Sequence, residues 1–380
     1  MTIAFFTNFI SHHQVYVADE LYKLTGEKYY YVEMEPMPDS YQKAGYPDCS
    51  DRPYVVQAWK SKEAKEKAEK IAIEVDVMLI GSLIALPYEV LRCKKNGEIT
   101  FEISERWFKK GLKNVLSPHF LKWYYYYLTT FRNRDVYKLC CSAFTSYDMS
   151  RIGAFENKCY KWAYFTKVDE YEVQNKEFTG ARIMWVSRLI DWKHPELCIE
   201  LARLLKKEDY QFSIDIYGDG LLKTYLQKLC DEYDVSDCVV FRGNSPNSEI
   251  VEAMRNHDIV LATSDQNEGW GAVVNEAMSN GCVLIGSHAT GSVPYLIKDG
   301  INGFVFKSGD LASLYSNVIQ VLGNASLCKQ IAVEAYRTMR DIWSPRNGAR
   351  SLIKLIDDIM NKREPSISEG PCSKAEIIKL

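Results

Sequence analysis

The sequence predicts an α/β protein of two doubly wound, Rossmann-like domains. Three observations predict it. The chain has 380 residues, long for one core and natural for two. Short apolar runs alternate with amphipathic stretches along its whole length, the pattern of parallel strands and crossover helices. That rhythm restarts from about Gln174, with the polar stretch Lys167–Thr179 as the linker. The expected division is residues 1–170, then 171–346, with 347–362 as a helix crossing back to the first domain. Residues 363–380, with Pro365, Gly370 and Pro371, are expected to be a disordered tail.

In the first half the strand candidates are Ile3–Thr7, Tyr29–Val32, Tyr54–Gln57, Val75–Ile80, Ile99–Ile103, Val136–Cys141 and Lys158–Phe165. Helices are expected over Gln14–Leu24, Lys62–Ile73 and after the strand at Val75. Ser11 and Gln14 have the spacing of a capping box at the first helix. In the second half the strands are Arg182–Val186, Phe212–Tyr217, Val239–Phe241, Ile259–Ala262 and Cys282–Ile285. Helices are expected over Glu196–Lys206, Leu221–Tyr233, Ser248–Arg255 and Gly271–Ser279. Three more follow over Leu311–Leu322, Ala325–Ile342 and Asn347–Lys362.

Composition narrows the function. With 47% hydrophobic and 26% charged residues and a net charge of −3, the chain carries no general demand for a nucleic-acid partner. Eleven cysteines lack CxxC spacing, which favours reduced, buried thiols in a cytoplasmic protein over zinc or redox chemistry. The start reads as a first strand and its loop, and no run reaches the length of a membrane span. Residues 107–138 are different. They combine Trp107, Phe108, Phe120 and Trp123-Tyr-Tyr-Tyr-Tyr127 with several Lys and Arg. That mixture suits either a helix on the anionic inner face of a membrane or an aromatic helix packed inside its own domain.

In doubly wound sheets ligands sit beyond the carboxyl ends of strands. Four stretches there carry chemistry. After Ile259–Ala262 comes Asp265-Gln-Asn-Glu268-Gly-Trp-Gly271-Ala-Val-Val-Asn-Glu276. Gly271 opens a helix, so the amides of Gly271, Ala272 and Val273 can receive a diphosphate. Glu268 and Glu276 can reach two ends of an elongated ligand. After Arg182–Val186 comes Ser187-Arg188-Leu-Ile-Asp-Trp-Lys193-His-Pro195. Arg188 and Lys193 flank this strand-to-helix loop and can neutralise a leaving diphosphate without a metal. In the first half, His12 and His13 follow the first strand, and Glu105 with Arg106 follows Ile99–Ile103. His12, His13 and Glu105 are candidates for contact with a sugar or an acceptor. For Glu105 a local salt bridge is the alternative.

Taken together, Arg188 and Lys193, Tyr217-Gly-Asp-Gly220, Val239-Val-Phe-Arg-Gly243, the Glu268–Glu276 pair and Asp299-Gly-Ile-Asn-Gly-Phe304 resemble the family 4 glycosyltransferases, of GT-B fold. In the first half, Phe6-Thr-Asn-Phe-Ile-Ser-His-His-Gln14 and Ser104-Glu-Arg106 look like a bacterial subset that builds surface polysaccharides. The resemblance implies a retaining, metal-independent hexosyltransferase, cytoplasmic or peripheral on the inner membrane face, with two domains facing each other across a deep cleft. A nucleotide-diphosphate sugar is its donor, a saccharide or polyprenyl-linked saccharide its acceptor. It needs no cofactor and binds no nucleic acid. Arg188, Lys193 and Glu268 would be catalytic, with the two cations on the diphosphate and Glu268 on the transferred sugar. Glu276 would hold the ribose, and Gly218, Arg242 and Gly243 would border the base. Gly291-Ser-Val-Pro-Tyr295 departs from the Gly-Gly and Glu that many relatives carry there. The competing readings are a nucleotide-sugar epimerase on the same architecture and a non-catalytic saccharide- or partner-binding protein. No GxGxxG follows either first strand, which disfavours an NAD-dependent oxidoreductase.

Overall fold

The computed structural model describes residues 1–39, 41, 46–95 and 99–380. The chain divides into one unit of residues 1–167 with 342–380, and a second of residues 168–341.

The first unit is built on a parallel sheet of seven strands: β1 Ile3–Thr7, β2 Tyr29–Glu33, β3 Val55–Gln57, β4 Val77–Ile80, β5 Thr100–Ser104, β6 Val136–Cys140 and β7 Cys159–Lys161. Their order is β3-β2-β1-β4-β5-β6-β7. All five residues of β1 are buried, because a central parallel strand is covered on both faces. The helices Lys62–Glu74 and Pro118–Tyr126 each start at a serine, Ser61 and Ser117, whose hydroxyl accepts an amide of the first turn. The helix Pro345–Met360 belongs to this unit and packs against Val15–Leu24.

Two expectations fail here. The first helix begins at Val15, and Ser11 does not cap it with its side chain. Gln14 cannot close a capping box because its side chain accepts from the Tyr31 hydroxyl. Residues 363–380 are ordered instead of forming a loose tail. Lys374 bridges antiparallel to Tyr160, Cys372 and Ala375 donate to the Lys161 and Cys159 carbonyls, and Cys372 and Ser373 are buried. The open amide row of β7 thus gains partners, which overrides the polar composition. In 107–138, Phe108, Phe120, Trp123, Tyr127 and Phe131 form a core with Leu86, Val90 and Phe155. Arg106 and Lys138 are buried as well. The outward face of that segment carries Leu112, Leu116, Leu121, Tyr125 and Leu128 instead.

The second unit repeats the plan with six parallel strands: β8 Arg182–Val186, β9 Ser213–Tyr217, β10 Val239–Gly243, β11 Ile259–Ala262, β12 Val283–Ser287 and β13 Phe304–Phe306. Their order is β10-β9-β8-β11-β12-β13. Sequence reading passed over β13, three residues next to a glycine-rich turn. The helix Glu196–Lys207 buries Leu197, Cys198, Ile199, Leu201, Ala202 and Leu205 against this sheet. In both sheets the strand order reverses beside the unit's first strand, the switch point where such folds bind ligands. No described helix is long and apolar enough to cross a membrane, and all eleven cysteines are free, ten of them buried.

Candidate nucleotide-sugar site

β8 and β11 are neighbours across the switch point of the second sheet. The loops that follow them therefore meet, and they carry Arg188, Lys193 and Glu268. Trp192 joins the two loops: its carbonyl accepts from the Asp265 amide at 3.0 Å. The Lys193 carbonyl accepts from the Thr263 hydroxyl at 2.6 Å. Lys193 Nζ lies 4.5 Å and Arg188 Cζ 5.9 Å from the centre of the Trp192 ring, so one indole spaces both cations. Lys193 forms an ion pair with Glu268, whose carboxylate also accepts from Ser264 at 3.3 Å. Arg188 remains exposed.

Backbone geometry sets this site. Gly271 has φ +88 and is followed by the helix Ala272–Ser279. A Cβ there would sit 2.8 Å from Thr290 Cγ2 and 3.3 Å from Glu268 Cγ. Glycine thus lets the turn carry Glu268 tight against the helix, whose first amides belong to Ala272 and Val273. Behind the loop of β8 lies Tyr217-Gly-Asp-Gly220. Gly218 has φ +127, and a Cβ on it would be 1.8 Å from the Ser187 carbonyl oxygen. Its amide donates to the Gly243 carbonyl at 2.7 Å, tying the loop of β9 to the end of β10. Ser292 donates its amide to the Trp270 carbonyl at 3.0 Å, so the divergent Gly291–Tyr295 stretch braces the same turn.

Glu276 lies in the second turn of that helix, partly exposed. Asn247, just beyond β10, donates to it at 3.5 Å. Burial raises the Glu276 carboxyl to about 7, opposed by that hydrogen bond. That hydrogen bond ties the start of the helix Asn247–Asn256 to Glu276. Arg242 is not brought in: it is exposed and pairs with Asp215 at 3.1 Å. Sequence reading missed Trp192, Asn247 and His194. The only available signal for Trp192 was its place between Arg188 and Lys193. His194 adopts φ 50 and contacts Glu196 at 2.7 Å and Asp265 at 3.6 Å.

In the first unit, His12, His13 and Glu105 come together around Tyr164, a residue not singled out from sequence. The His13 ring stacks on Tyr164 at 5.4 Å, and His12 and His13 are 3.7 Å apart. The Tyr164 hydroxyl donates to Glu105 at 2.8 Å. Glu105 also pairs with Lys109 at 2.8 Å, the local salt bridge raised as the alternative. Burial lowers His12 to about 4. Burial, then the neighbouring His12, lowers His13 to about 3. Both rings are neutral at pH 7, and their Nδ1 atoms have no partner among the described residues. They can exchange hydrogen bonds with a hydroxyl but supply no charge. Arg106 instead pairs with buried Asp148 at 3.4 Å, and Asp148 accepts the Trp107 and Phe108 amides.

Residues 168–338 match the family model described as "Glycosyl transferases group 1". Over 181 residues the chain is 30% identical to the amylovoran biosynthesis glycosyltransferase AmsK of Erwinia amylovora. The match takes in 46% of this chain and 44% of that protein, so it spans less than half of the relative. Two solved structures are similar over almost the whole chain. TarM of Staphylococcus aureus aligns with a TM-score of 0.70 at 12% identity, over 94% of this chain and 99% of its own. Anabaena HepE, solved in complex with UDP and glucose, aligns with a TM-score of 0.63 at 14% identity, over 95% and 100%. At such identities the likeness bears on fold, and it agrees with the two-domain, Rossmann-like architecture.

Proposed function

We propose that the chain is a retaining glycosyltransferase of family 4. It moves a hexose-type sugar from a nucleotide-diphosphate donor to a saccharide acceptor in the synthesis of a surface glycan. The observation that carries this reading is that Arg188 and Lys193 both lie over the Trp192 ring, with Glu268 and the Gly271–Val273 helix start beside them. Two cations and a helix N-terminus form a diphosphate site. The match of residues 168–338, the amylovoran relative and the UDP complex of HepE support it.

In this mechanism Arg188 and Lys193 hold the diphosphate and stabilise the charge that grows on it as the sugar departs. Glu276 accepts the ribose hydroxyls, and Glu268 accepts a hydroxyl of the transferred sugar once Lys193 turns to the phosphate. The acceptor hydroxyl attacks the anomeric carbon on the face the diphosphate leaves. The bond to the phosphate oxygen breaks, the glycosidic bond forms, and the acceptor proton passes to the leaving phosphate. The two fixed cations take the role of a metal, so turnover persists in chelator. His12, His13 and Glu105 serve the sugar or acceptor. The acceptor is carried on a polyprenyl lipid, and the protein works at the inner membrane face. Leu112, Leu116, Leu121, Tyr125 and Leu128 enter the headgroup layer there, with Lys110, Lys113 and Lys122 alongside.

The test is thermal shift with UDP-, GDP- and ADP-sugars, with and without EDTA, on the wild type, Arg188→Ala and Lys193→Ala. One donor should raise the wild-type Tm regardless of EDTA and lose most of that effect in both variants. Binding unchanged in both variants would remove the site assignment.

A further inference from the structure

A cavity lies wholly within the first unit, at the carboxyl ends of β4 and β5. Its volume is about 150 Å3, and a cavity of that order accommodates about one six-membered ring. Trp107 and Trp123 form its aromatic wall, and Ser82 and Ser104 contribute hydroxyls. Glu89, Glu102 and Lys138 line its polar side, each at most 5% exposed. Glu102 is fully engaged: it pairs with Lys138 at 3.1 Å and accepts from Trp123 Nε1 at 2.8 Å. Glu89 is not. It is 1% exposed, and its Oε1 has no hydrogen-bond partner among the described residues.

A buried carboxyl with an idle oxygen is expensive unless something uses it. Burial, then the charge of Glu102, hold Glu89 well above the ordinary carboxylate range, and the two side chains share a hydrogen bond. Two carboxyls that share a hydrogen bond share a proton, and burial favours it on Glu89, which then donates to Glu102 and keeps its idle oxygen as an acceptor. The charges of Glu102 and Lys138 cancel. What remains on offer is one neutral acceptor, two hydroxyls and two indole faces. That set matches a neutral pyranose, whose hydroxyl or amide N–H donates while its C–H face lies on an indole. An anionic ring would bring a charge beside buried Glu102.

We infer that this cavity binds one uncharged sugar ring of the acceptor, with Glu89 as its hydrogen-bond acceptor and Trp107 as its stacking face. The inference rests on the proposed transferase reading, and donor binding in the second unit tests that reading separately.

The experiment is saturation-transfer NMR and calorimetry on the full chain with the methyl glycosides of glucose, galactose, mannose, N-acetylglucosamine and glucuronic acid. UDP-sugar thermal shifts are measured in parallel. At least one neutral glycoside should bind and the glucuronide should not. Glu89→Gln keeps the carbonyl acceptor and the donor to Glu102, so it should bind within about threefold of wild type. Glu89→Leu should weaken binding by about tenfold or more. Leu83 lines the same cavity and is 43% exposed, so Leu83→Trp can block the cavity without touching the core. It should abolish binding while leaving the Tm unchanged. Donor binding without any glycoside binding would overturn the inference and spare the transferase reading. So would glycoside binding that survives both Glu89→Leu and Leu83→Trp, or a glucuronide that binds as well as the neutral rings.

Discussion

Replacing Glu276 by Gln separates two effects of one carboxylate. Its folded value of about 7 lies above the ordinary 4.5. Between those values the folded state binds a proton that the unfolded state has lost, so stability falls as pH rises through this window. The full difference corresponds to about 3 kcal/mol. Partial exposure of the side chain reduces that to about 2 kcal/mol. Glutamine imitates the protonated form and never charges. Glu276→Gln should therefore match the wild type near pH 4.5 and gain stability progressively up to pH 7, with a plateau above. For a unit of this size the plateau corresponds to a Tm increase of about 4–8 °C. Differential scanning calorimetry from pH 4.5 to 8.5 measures it. The same variant should bind the donor about 10- to 100-fold more weakly at pH 8, because an amide offers one neutral acceptor oxygen where the carboxylate offers two charged ones. A Tm difference that is flat with pH, or largest at pH 4.5, would refute the placement of a partly exposed, charge-penalised carboxylate. A stabilised variant with undiminished donor affinity would refute its role on the ribose.

Other outcomes follow from the same geometry. Lys193→Ala should cost about 100-fold or more in kcat with an unchanged fold, read by steady-state kinetics and circular dichroism. Gly218→Ala should destabilise the second unit by about 3 kcal/mol or more, seen as a lower urea midpoint, because its methyl overlaps the Ser187 carbonyl. His12 and His13 should show no imidazole titration above pH 5 by proton NMR. Both are depressed from 6.5, so their contribution to stability is complete above pH 6.5. It is lost as pH falls to about 4 and about 3 respectively. Leu121→Asp with Leu128→Asp should abolish flotation with anionic vesicles and leave the Tm within about 2 °C, since both side chains are exposed.

The strands were legible because central parallel strands must be apolar on both faces; β1 and β11 came out at the expected bounds. β13 was lost because three residues carry too little pattern. Arg188, Lys193, Glu268 and Gly271 stood at strand ends, where position alone flags them. Trp192, Asn247 and Tyr164 act through partners dozens of residues away, which spacing cannot reveal. The capping box failed for the same reason, since Gln14 is itself the N-cap and Tyr31 has taken its side chain. Spacing along the aromatic run 123–127 did not say which rings pack: Trp123 and Tyr127 turn inward, while Tyr125 turns out.

The first unit is interrupted in sequence, its two parts separated by the whole of the second. On the ribosome, β7 emerges long before residues 372–375 can pair with its edge. At ordinary synthesis rates the delay is roughly 10–40 s. For that time the nascent chain displays the open outer edge of β7, while the contiguous second unit is free to fold. Vectorial synthesis thus completes the later unit first and leaves the earlier one waiting, with its uncovered edge the natural point of chaperone capture or of aggregation.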